Sequence, residues 1–124
     1  MAKIGGSESA SEQMPAPVEW DALLELFGGD ADFARELVDA FIGTGGRELA
    51  AIAAALGRGD YARISESAHT LKGASANLHS SAAIAAARLE AAANSGDSAQ
   101  IPALMDKLKT EIGRTIEYLR SKVA

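Results

Sequence analysis

The sequence predicts an all-α fold: an antiparallel up-down-up-down four-helix bundle with one or two additional N-terminal helices packed against it. Aromatic residues make up 5% of the 124 residues and alanine is abundant, whereas strands favour aromatic and β-branched residues. Apolar residues recur at three- and four-residue steps, which indicates helices with one buried face. Short polar or glycine-containing segments separate these stretches, so consecutive helices are expected to pack antiparallel.

Two regions differ in composition. Residues 1–17 are rich in Gly, Ser, Ala and Glu and contain too little apolar surface to offset the entropy of ordering. They also lack the basic segment and apolar core of a secretory signal. We therefore expect a flexible tail or linker over residues 1–17 and one helical domain over residues 18–122.

The N-terminal part of this domain contains two helical stretches. The glycine pair at positions 28–29 is expected to end the first of them. Asp30 is a suitable N-cap for the second, because its side chain can accept a bond from a free backbone N–H. Three further glycines at positions 43–46 leave open whether the chain breaks there or the helix continues with a kink.

Three more helices follow. Asp60 is expected to cap the central helix, Ser80 or Ser81 the next one, and the last helix is expected to begin near Asp97 or Ser98. The inward face of the central helix is expected to comprise Tyr61, Ile64, Ala68, Leu71, Ser75 and Leu78.

The composition also disfavours several classes of partner. The net charge is −5 and no run of basic residues is present, so we expect no binding to nucleic acid. No apolar run approaches the roughly 20 residues that span a bilayer, so no membrane association is expected. The absence of cysteine leaves no disulfide or thiolate metal site and is typical of a reducing compartment. A cytoplasmic protein is the simplest interpretation.

His69 is the main candidate functional residue. It lies roughly 155° from the centre of the apolar stripe on the central helix, so it is expected to face solvent. Lys72 is one turn away, and Gly73 costs about 1 kcal/mol relative to alanine in a helix interior, which suggests that something large approaches this face. The nearest positions on the helical wheel are all small: Ala62, Ser65, Gly73 and Ala76. An accessible imidazole beside a cation suits acceptance of a phosphoryl group.

Other roles for His69 have weaker support. Glu66, three residues earlier, is within reach of the imidazole. A serine hydrolase is disfavoured because Ser65 and Ser67 lie on the same helix as His69 and no separate acid completes a triad. His79 is about 80° round the helix and ten residues away, which is poor for joint metal binding, so no metal site is expected.

The stretch His69-Thr70-Leu71-Lys72-Gly73, followed by Ser75 and Leu78, resembles the phosphoacceptor motif of histidine-containing phosphotransfer (HPt) domains, A-H-x-L-K-G-x-S-x-x-L-G. The resemblance extends over about residues 18–122. One position departs from the motif: the family often has glycine after the last leucine, and this sequence has His79. Glycine there would favour the end of the helix. The difference at His79 therefore bears on how the helix ends more than on the phosphate chemistry.

The resemblance implies a phosphorelay intermediate and assigns roles to residues. His69 would accept a phosphoryl group from a receiver domain of a hybrid sensor histidine kinase and pass it to the receiver domain of a downstream response regulator. Lys72 would stabilise the phosphate, and Gly73 would leave access for the receiver. The protein would hold no cofactor of its own, with Mg²⁺ on the receiver. The rim that docks the partner would include Ala62, Ser65, Glu66, Ala76, Asn77 and His79.

Three other classes of helical protein share features with this sequence. A sensor kinase dimerisation domain usually has an acidic residue directly after its histidine, where this sequence has Thr70, and no Gly-rich nucleotide-binding segment is present. Autokinase activity is therefore not expected, and the protein would be a phosphocarrier, not an enzyme. The phosphoacceptor module of chemotaxis-type kinases remains open. A binding-only module that docks receivers without phosphotransfer also remains, although it has no chemical use for the pair of His69 and Lys72.

Overall fold

Four long helices form a bundle, and one short helix precedes them. The computed structural model describes residues 16–123, in which helix α1 spans Trp20–Leu26, α2 Ala31–Arg58, α3 Tyr61–Asn77, α4 Ala82–Ser95 and α5 Ile101–Val123. Each of the helices α2 to α5 packs mainly against two others, so that α3 and α5 lie diagonally across the bundle. The predicted all-α bundle is confirmed, with α1 as the one additional helix within the described residues. None of these helices is both long and apolar enough to cross a membrane.

The N-terminal segment joins the bundle just before α1. The backbone carbonyl of Pro17 accepts a hydrogen bond from the N–H of Ser81 at 2.9 Å, and Val18 forms an isolated antiparallel bridge with Ser80. Most of the tail predicted over residues 1–17 lies outside the described residues and stays a prediction.

Helix α2 continues without a break through its three clustered glycines. Gly45 is buried, and a β-carbon there would lie 3.3 Å from Cγ2 of Ile112 on α5, so this glycine permits the close approach of the two helices. Gly43 and Gly46 face solvent. Packing of the apolar side of α2 therefore outweighs the roughly 1 kcal/mol that each glycine costs in a helix.

The helix starts largely follow the expected caps. The side chains of Asp30 and Asp60 each accept a bond from the backbone N–H three residues later, at 3.0 and 3.1 Å. Of the two candidate serines before α4, Ser81 occupies the N-cap position, but its side chain makes no capping bond. Oγ of Ser80, one residue earlier, instead accepts from the N–H of Ala82 at 3.0 Å. The expected start of the last helix at residue 97 or 98 is wrong: these residues form a turn, and α5 begins at Ile101.

The core contains the inward face predicted for α3, except that Tyr61 is only partly buried. Two polar side chains on α5, Glu111 and Thr115, are also buried, which the apolar pattern did not predict. Ser80 Oγ lies 2.8 Å from Thr115 Oγ1, and Ser81 Oγ donates to Glu111 Oε1 at 3.0 Å. These bonds satisfy the buried polar groups and fix the loop between α3 and α4 onto α5.

His79 ends α3 in a left-handed conformation, with φ of 53°. The N–H of His79 bonds to the carbonyl of Ala76 at 3.0 Å, and the N–H of Ser80 to that of Ser75 at 2.9 Å, which is the Schellman pattern. Helix α4 ends in the same pattern at Gly96, with φ of 69°. Helix α3 therefore ends without a glycine, and His79 adopts the strained left-handed conformation instead.

Replacement of His79 by glycine is expected to stabilise the fold. A non-glycine residue in the left-handed region costs about 1–2 kcal/mol, and the extra flexibility that glycine gives the unfolded chain offsets part of this. We expect the free energy of unfolding, measured by urea denaturation, to rise by about 0.5–1 kcal/mol. The control is His79→Ala, which keeps the β-carbon and should bring no such gain. Equal free energies of unfolding for His79→Gly and His79→Ala would show that the left-handed conformation of His79 is not strained.

Candidate functional site

His69 lies on the solvent-facing side of α3. Its side chain is 66% exposed, whereas Ala68 and Leu71 on the same helix are fully buried. Because successive helix positions are about 100° apart, burial of the stripe that contains these two residues turns His69 outward. The orientation expected from the helical wheel is observed.

Glu90 on the neighbouring helix α4 contacts both His69 and Lys72. Its Oε2 lies 2.9 Å from Nδ1 of His69, and its Oε1 lies 2.9 Å from Nζ of Lys72. The Glu90 side chain is 18% exposed, against 38% for Lys72. One carboxylate in the groove between α3 and α4 therefore fixes the position of both predicted site residues.

This contact determines which imidazole nitrogen is available for chemistry. An ionised carboxylate only accepts hydrogen bonds, so Nδ1 of His69 must carry the hydrogen that lies between it and Glu90. In a neutral imidazole the other nitrogen, Nε2, then has a free lone pair. Among the described residues, no hydrogen bond occupies Nε2. The exposed imidazole thus has one ring nitrogen, Nε2, whose lone pair is not engaged by the described residues.

Glu90 is held in its ionised form. The hydrogen bond from Lys72 lowers the pKa of the Glu90 carboxyl below its ordinary value; burial opposes this, and the hydrogen bond from His69 adds to the lowering. Because the folded-state pKa is depressed, the stabilisation from Glu90 is present above the pKa that it has in the unfolded chain. It is lost as the pH falls through the folded pKa, so the site remains assembled at neutral pH.

Little side-chain bulk surrounds His69. Ala62, Gly73 and Ala76 are exposed, and a β-carbon at Gly73 would meet no atom within 4 Å. Packing within the described chain therefore does not require glycine at this position. Ser65 donates a hydrogen bond to Oδ1 of Asn94 on α4 and so helps to join α3 to α4 near the site.

Glu66 does not contact His69. Its Oε1 instead accepts from Nη1 of Arg63 at 2.8 Å, one turn earlier on α3. Although Glu66 is within reach along the helix, the ring of His69 turns toward α4, where Glu90 binds Nδ1. Asn77 is exposed near the end of α3, and His79 is exposed in the loop that follows.

Glu90 was missed by sequence reasoning. It is 21 residues from His69, and helical periodicity relates positions only within one helix. One signal was present: α4 is rich in alanine, and Glu90 and Arg88 are its two charged residues. A lone carboxylate at the edge of an apolar helix is a candidate partner for a cation on the adjacent helix. Within residues 16–123, no group of three or more His, Asp or Glu side chains is arranged to hold a metal ion.

Comparison with known proteins agrees with this fold. Residues 36–119 match the family model of the Hpt domain. The structure is similar to that of histidine-containing phosphotransfer protein B (HptB) from Pseudomonas aeruginosa PAO1, with a TM-score of 0.81 and 24% sequence identity over 89% of this chain and 96% of that chain. A comparison with curated protein sequences gave no match. Because the family model covers more than half of the sequence, this chain belongs to the Hpt domain family, a family of phosphocarriers that interact with receiver domains of two-component systems.

Proposed function

We propose that His69 accepts a phosphoryl group on Nε2 from the aspartyl phosphate of a receiver domain and transfers it to the aspartate of a second receiver domain. The donor would be the receiver of a hybrid sensor histidine kinase, and the acceptor the receiver of a response regulator. The observation that carries this proposal is the contact of Glu90 with Nδ1, which leaves Nε2 of an exposed imidazole free to attack.

The chemistry requires positioning more than covalent machinery. The lone pair of Nε2 forms the N–P bond while the P–O bond to the receiver aspartate breaks, and the aspartate leaves as a carboxylate with the bonding electrons. No proton has to leave Nε2 first. The ring gains positive charge in this step, and the adjacent Glu90 carboxylate stabilises that charge, as the aspartate of a Ser-His-Asp triad does. Transfer to the second receiver is the reverse of these events.

Lys72 supplies a cation at the same site. Its ammonium shares the Glu90 carboxylate with His69, so it is held next to the ring on which the phosphoryl group would arrive. In the proposal it moves to the phosphoryl oxygens and offsets their charge. Mg²⁺ bound by the receiver would offset the remaining negative charge of the phosphoryl oxygens from the receiver's side. This chain would contribute no metal ligand.

The test is transfer of labelled phosphate. The full chain is incubated with receiver domains phosphorylated on aspartate, and in parallel with ATP alone. We expect acid-labile, alkali-stable label on the chain in the first case and none in the second, with mass spectrometry locating the group on His69. No label from any receiver domain of the source genome would contradict the proposal and favour a binding-only module. Label from ATP alone would contradict the assignment as a carrier without kinase activity.

Substitution of leucine for Gly73 is expected to stabilise the fold and to slow phosphoryl transfer. Because no atom lies within 4 Å of a β-carbon there, leucine should raise the free energy of unfolding by up to about 1 kcal/mol through its higher helix propensity. The same side chain would obstruct a receiver that approaches His69, so the rate of transfer should fall. Thermal unfolding and a timed transfer assay measure the two effects.

Gly113 provides the matched control for this substitution. It is exposed within α5, it too has no neighbour within 4 Å of a β-carbon, and α5 lies diagonally across the bundle from α3. Gly113→Leu should therefore stabilise the fold to a similar extent without slowing transfer. Equal transfer rates for Gly73→Leu and Gly113→Leu would show that Gly73 is not needed for access.

A further inference from the structure

Two polar side chains of α4 reach across to the face of α3 that carries His69. Glu90 binds Nδ1 of His69, and Asn94, one turn later on α4, accepts a hydrogen bond from Ser65. Ser65 is itself one turn before His69 on α3. Because residues four apart on a helix have β-carbons about 5–6 Å apart, the pair of Ser65 and Asn94 is the immediate neighbour of the imidazole in the groove between the two helices.

The amide of Asn94 has its oxygen toward α3 and its nitrogen free. Oγ of Ser65 and Oδ1 of Asn94 are 2.5 Å apart, a distance found for O–H···O bonds and shorter than N–H···O bonds usually are. The hydroxyl therefore donates to the amide oxygen. Nδ2 of Asn94 keeps both of its N–H donors, and within the described part of the chain nothing accepts from them. The side chain is exposed, so these donors are available to a group that arrives at His69.

A phosphoryl group on Nε2 of His69 brings three oxygens that carry negative charge. Lys72 lies one turn after His69 and Ser65 one turn before it, so the ammonium and the Asn94 amide are on opposite sides of the imidazole along the groove. Helical side chains tilt toward the N-terminus of their helix, which directs the ring of His69 toward the turn that contains Ser65. The amide is therefore a donor for the phosphoryl oxygens on the side away from Lys72.

The bond to Ser65 is by itself a weak reason for asparagine at position 94. A hydrogen bond at the surface contributes little net free energy to folding, because water replaces it in the unfolded chain. Helices α3 and α4 already share the buried core. Asparagine also has a lower helix propensity than the alanines at positions 91–93. What distinguishes asparagine from alanine here is chiefly the free amide nitrogen.

We propose that Nδ2 of Asn94 donates a hydrogen bond to an oxygen of the phosphoryl group on Nε2 of His69, and that Ser65 is a positioning residue that holds the amide in this orientation. This inference rests on the proposed phosphotransfer function. Asn94 gives up no proton in the step: its N–H remains a donor while the P–O bond to the receiver aspartate breaks and the N–P bond forms. Because the amide is neutral, it binds the oxygens without competing with Lys72 for the carboxylate of Glu90.

The experiment uses the full chain and measures, by rapid quench, the rate of phosphorylation at a saturating concentration of phosphorylated receiver domain. Asn94→Asp keeps an oxygen that accepts from Ser65, but it loses both donors and adds a negative charge beside the phosphoryl group. Asn94→Ala removes the whole amide, and Ser65→Ala removes only its restraint. Ala91→Asp is the control, because it adds the same charge to an exposed position of α4 that lines the groove toward α5. Thermal unfolding followed by circular dichroism confirms that each variant folds.

We expect Asn94→Ala to slow transfer by about tenfold, since hydrogen bonds to charged groups are among the stronger ones in proteins. Asn94→Asp should be slower still. Ser65→Ala should lose only about threefold, because the donor is kept but is no longer held in place, and Ala91→Asp should match the unaltered chain. If the amide only joined α3 to α4, Asn94→Asp would instead transfer as fast as Ala91→Asp, and Asn94→Ala would equal Ser65→Ala. That result would overturn the inference.

NMR of the side-chain amides tests the contact directly. The two signals of the Nδ2 protons, identified by their absence from the spectrum of Asn94→Asp, should move downfield when His69 is phosphorylated by the receiver. Unmoved signals in a chain that carries the label on His69 would overturn this inference and leave the proposed function standing. No label at all from any receiver would overturn the proposed function and this inference with it.

Discussion

Substitution of glutamine for His69 is expected to abolish acceptance of phosphate and to leave the fold intact. The amide of glutamine has no basic lone pair on nitrogen, so it cannot attack phosphorus. The imidazole is 66% exposed, and exposed substitutions usually change the free energy of unfolding by less than about 0.5 kcal/mol. Circular dichroism should therefore show the same helicity and nearly the same thermal midpoint, while the label from a phosphorylated receiver disappears.

His79→Gln is the matched control for this experiment, because it removes the other histidine of the chain from a loop that follows the same helix. The extent of labelling at completion, which does not depend on how fast the receiver docks, should equal that of the unaltered protein. Persistence of acid-labile label in His69→Gln would show that another residue accepts phosphate, and the role of Nε2 derived from the Glu90 contact would then be wrong.

Features that depend on neighbouring residues were predictable from the sequence. The outward orientation of His69 follows from the apolar positions within one helix, and the caps at Asp30 and Asp60 follow from side chains that bond to the backbone three residues later. The Hpt assignment rests on the same short-range information, because the motif from His69 to Leu78 lies within α3 and its C-terminal cap.

Features that depend on packing between helices were not predictable in this way. The close approach of α2 to Ile112 on α5 depends on Gly45, which has no side chain to hold the two helices apart, and no local pattern reports that contact. The partly buried hydrogen bond from Ser81 to Glu111 joins residues 30 positions apart. The Glu90 contact depends on the register of α4 against α3, which only the assembled bundle defines.

Substitution of alanine for Glu90 is expected to slow phosphorylation of His69 on the order of tenfold to a hundredfold. This is at or below the lower end of the range attributed to positioned proton-transfer groups, because the Glu90 carboxylate orients the ring and stabilises its charge but takes no proton. Two effects combine. Without an acceptor at Nδ1, the tautomer with hydrogen on Nδ1 is no longer favoured, so a fraction of the molecules carry the hydrogen on Nε2. The positive charge that develops on the ring also loses its adjacent carboxylate. Stability should change little, because contacts between partly exposed charges contribute less than about 1 kcal/mol.

Two measurements distinguish this positioning role from a structural one. Rapid-quench kinetics with a saturating phosphorylated receiver give the rate of transfer, and ¹⁵N NMR of the imidazole reports which nitrogen carries the hydrogen. We expect hydrogen on Nδ1 in the unaltered chain and a mixture in Glu90→Ala. Glu66→Ala is the control, because Glu66 is acidic and lies on the same helix but pairs with Arg63 instead of His69. The saturating receiver removes any effect of Glu66 on docking affinity from this comparison. If Glu90→Ala accepted phosphate as fast as Glu66→Ala, the Glu90 carboxylate would only join α3 to α4. It would then have no part in preparing Nε2 of His69 for attack.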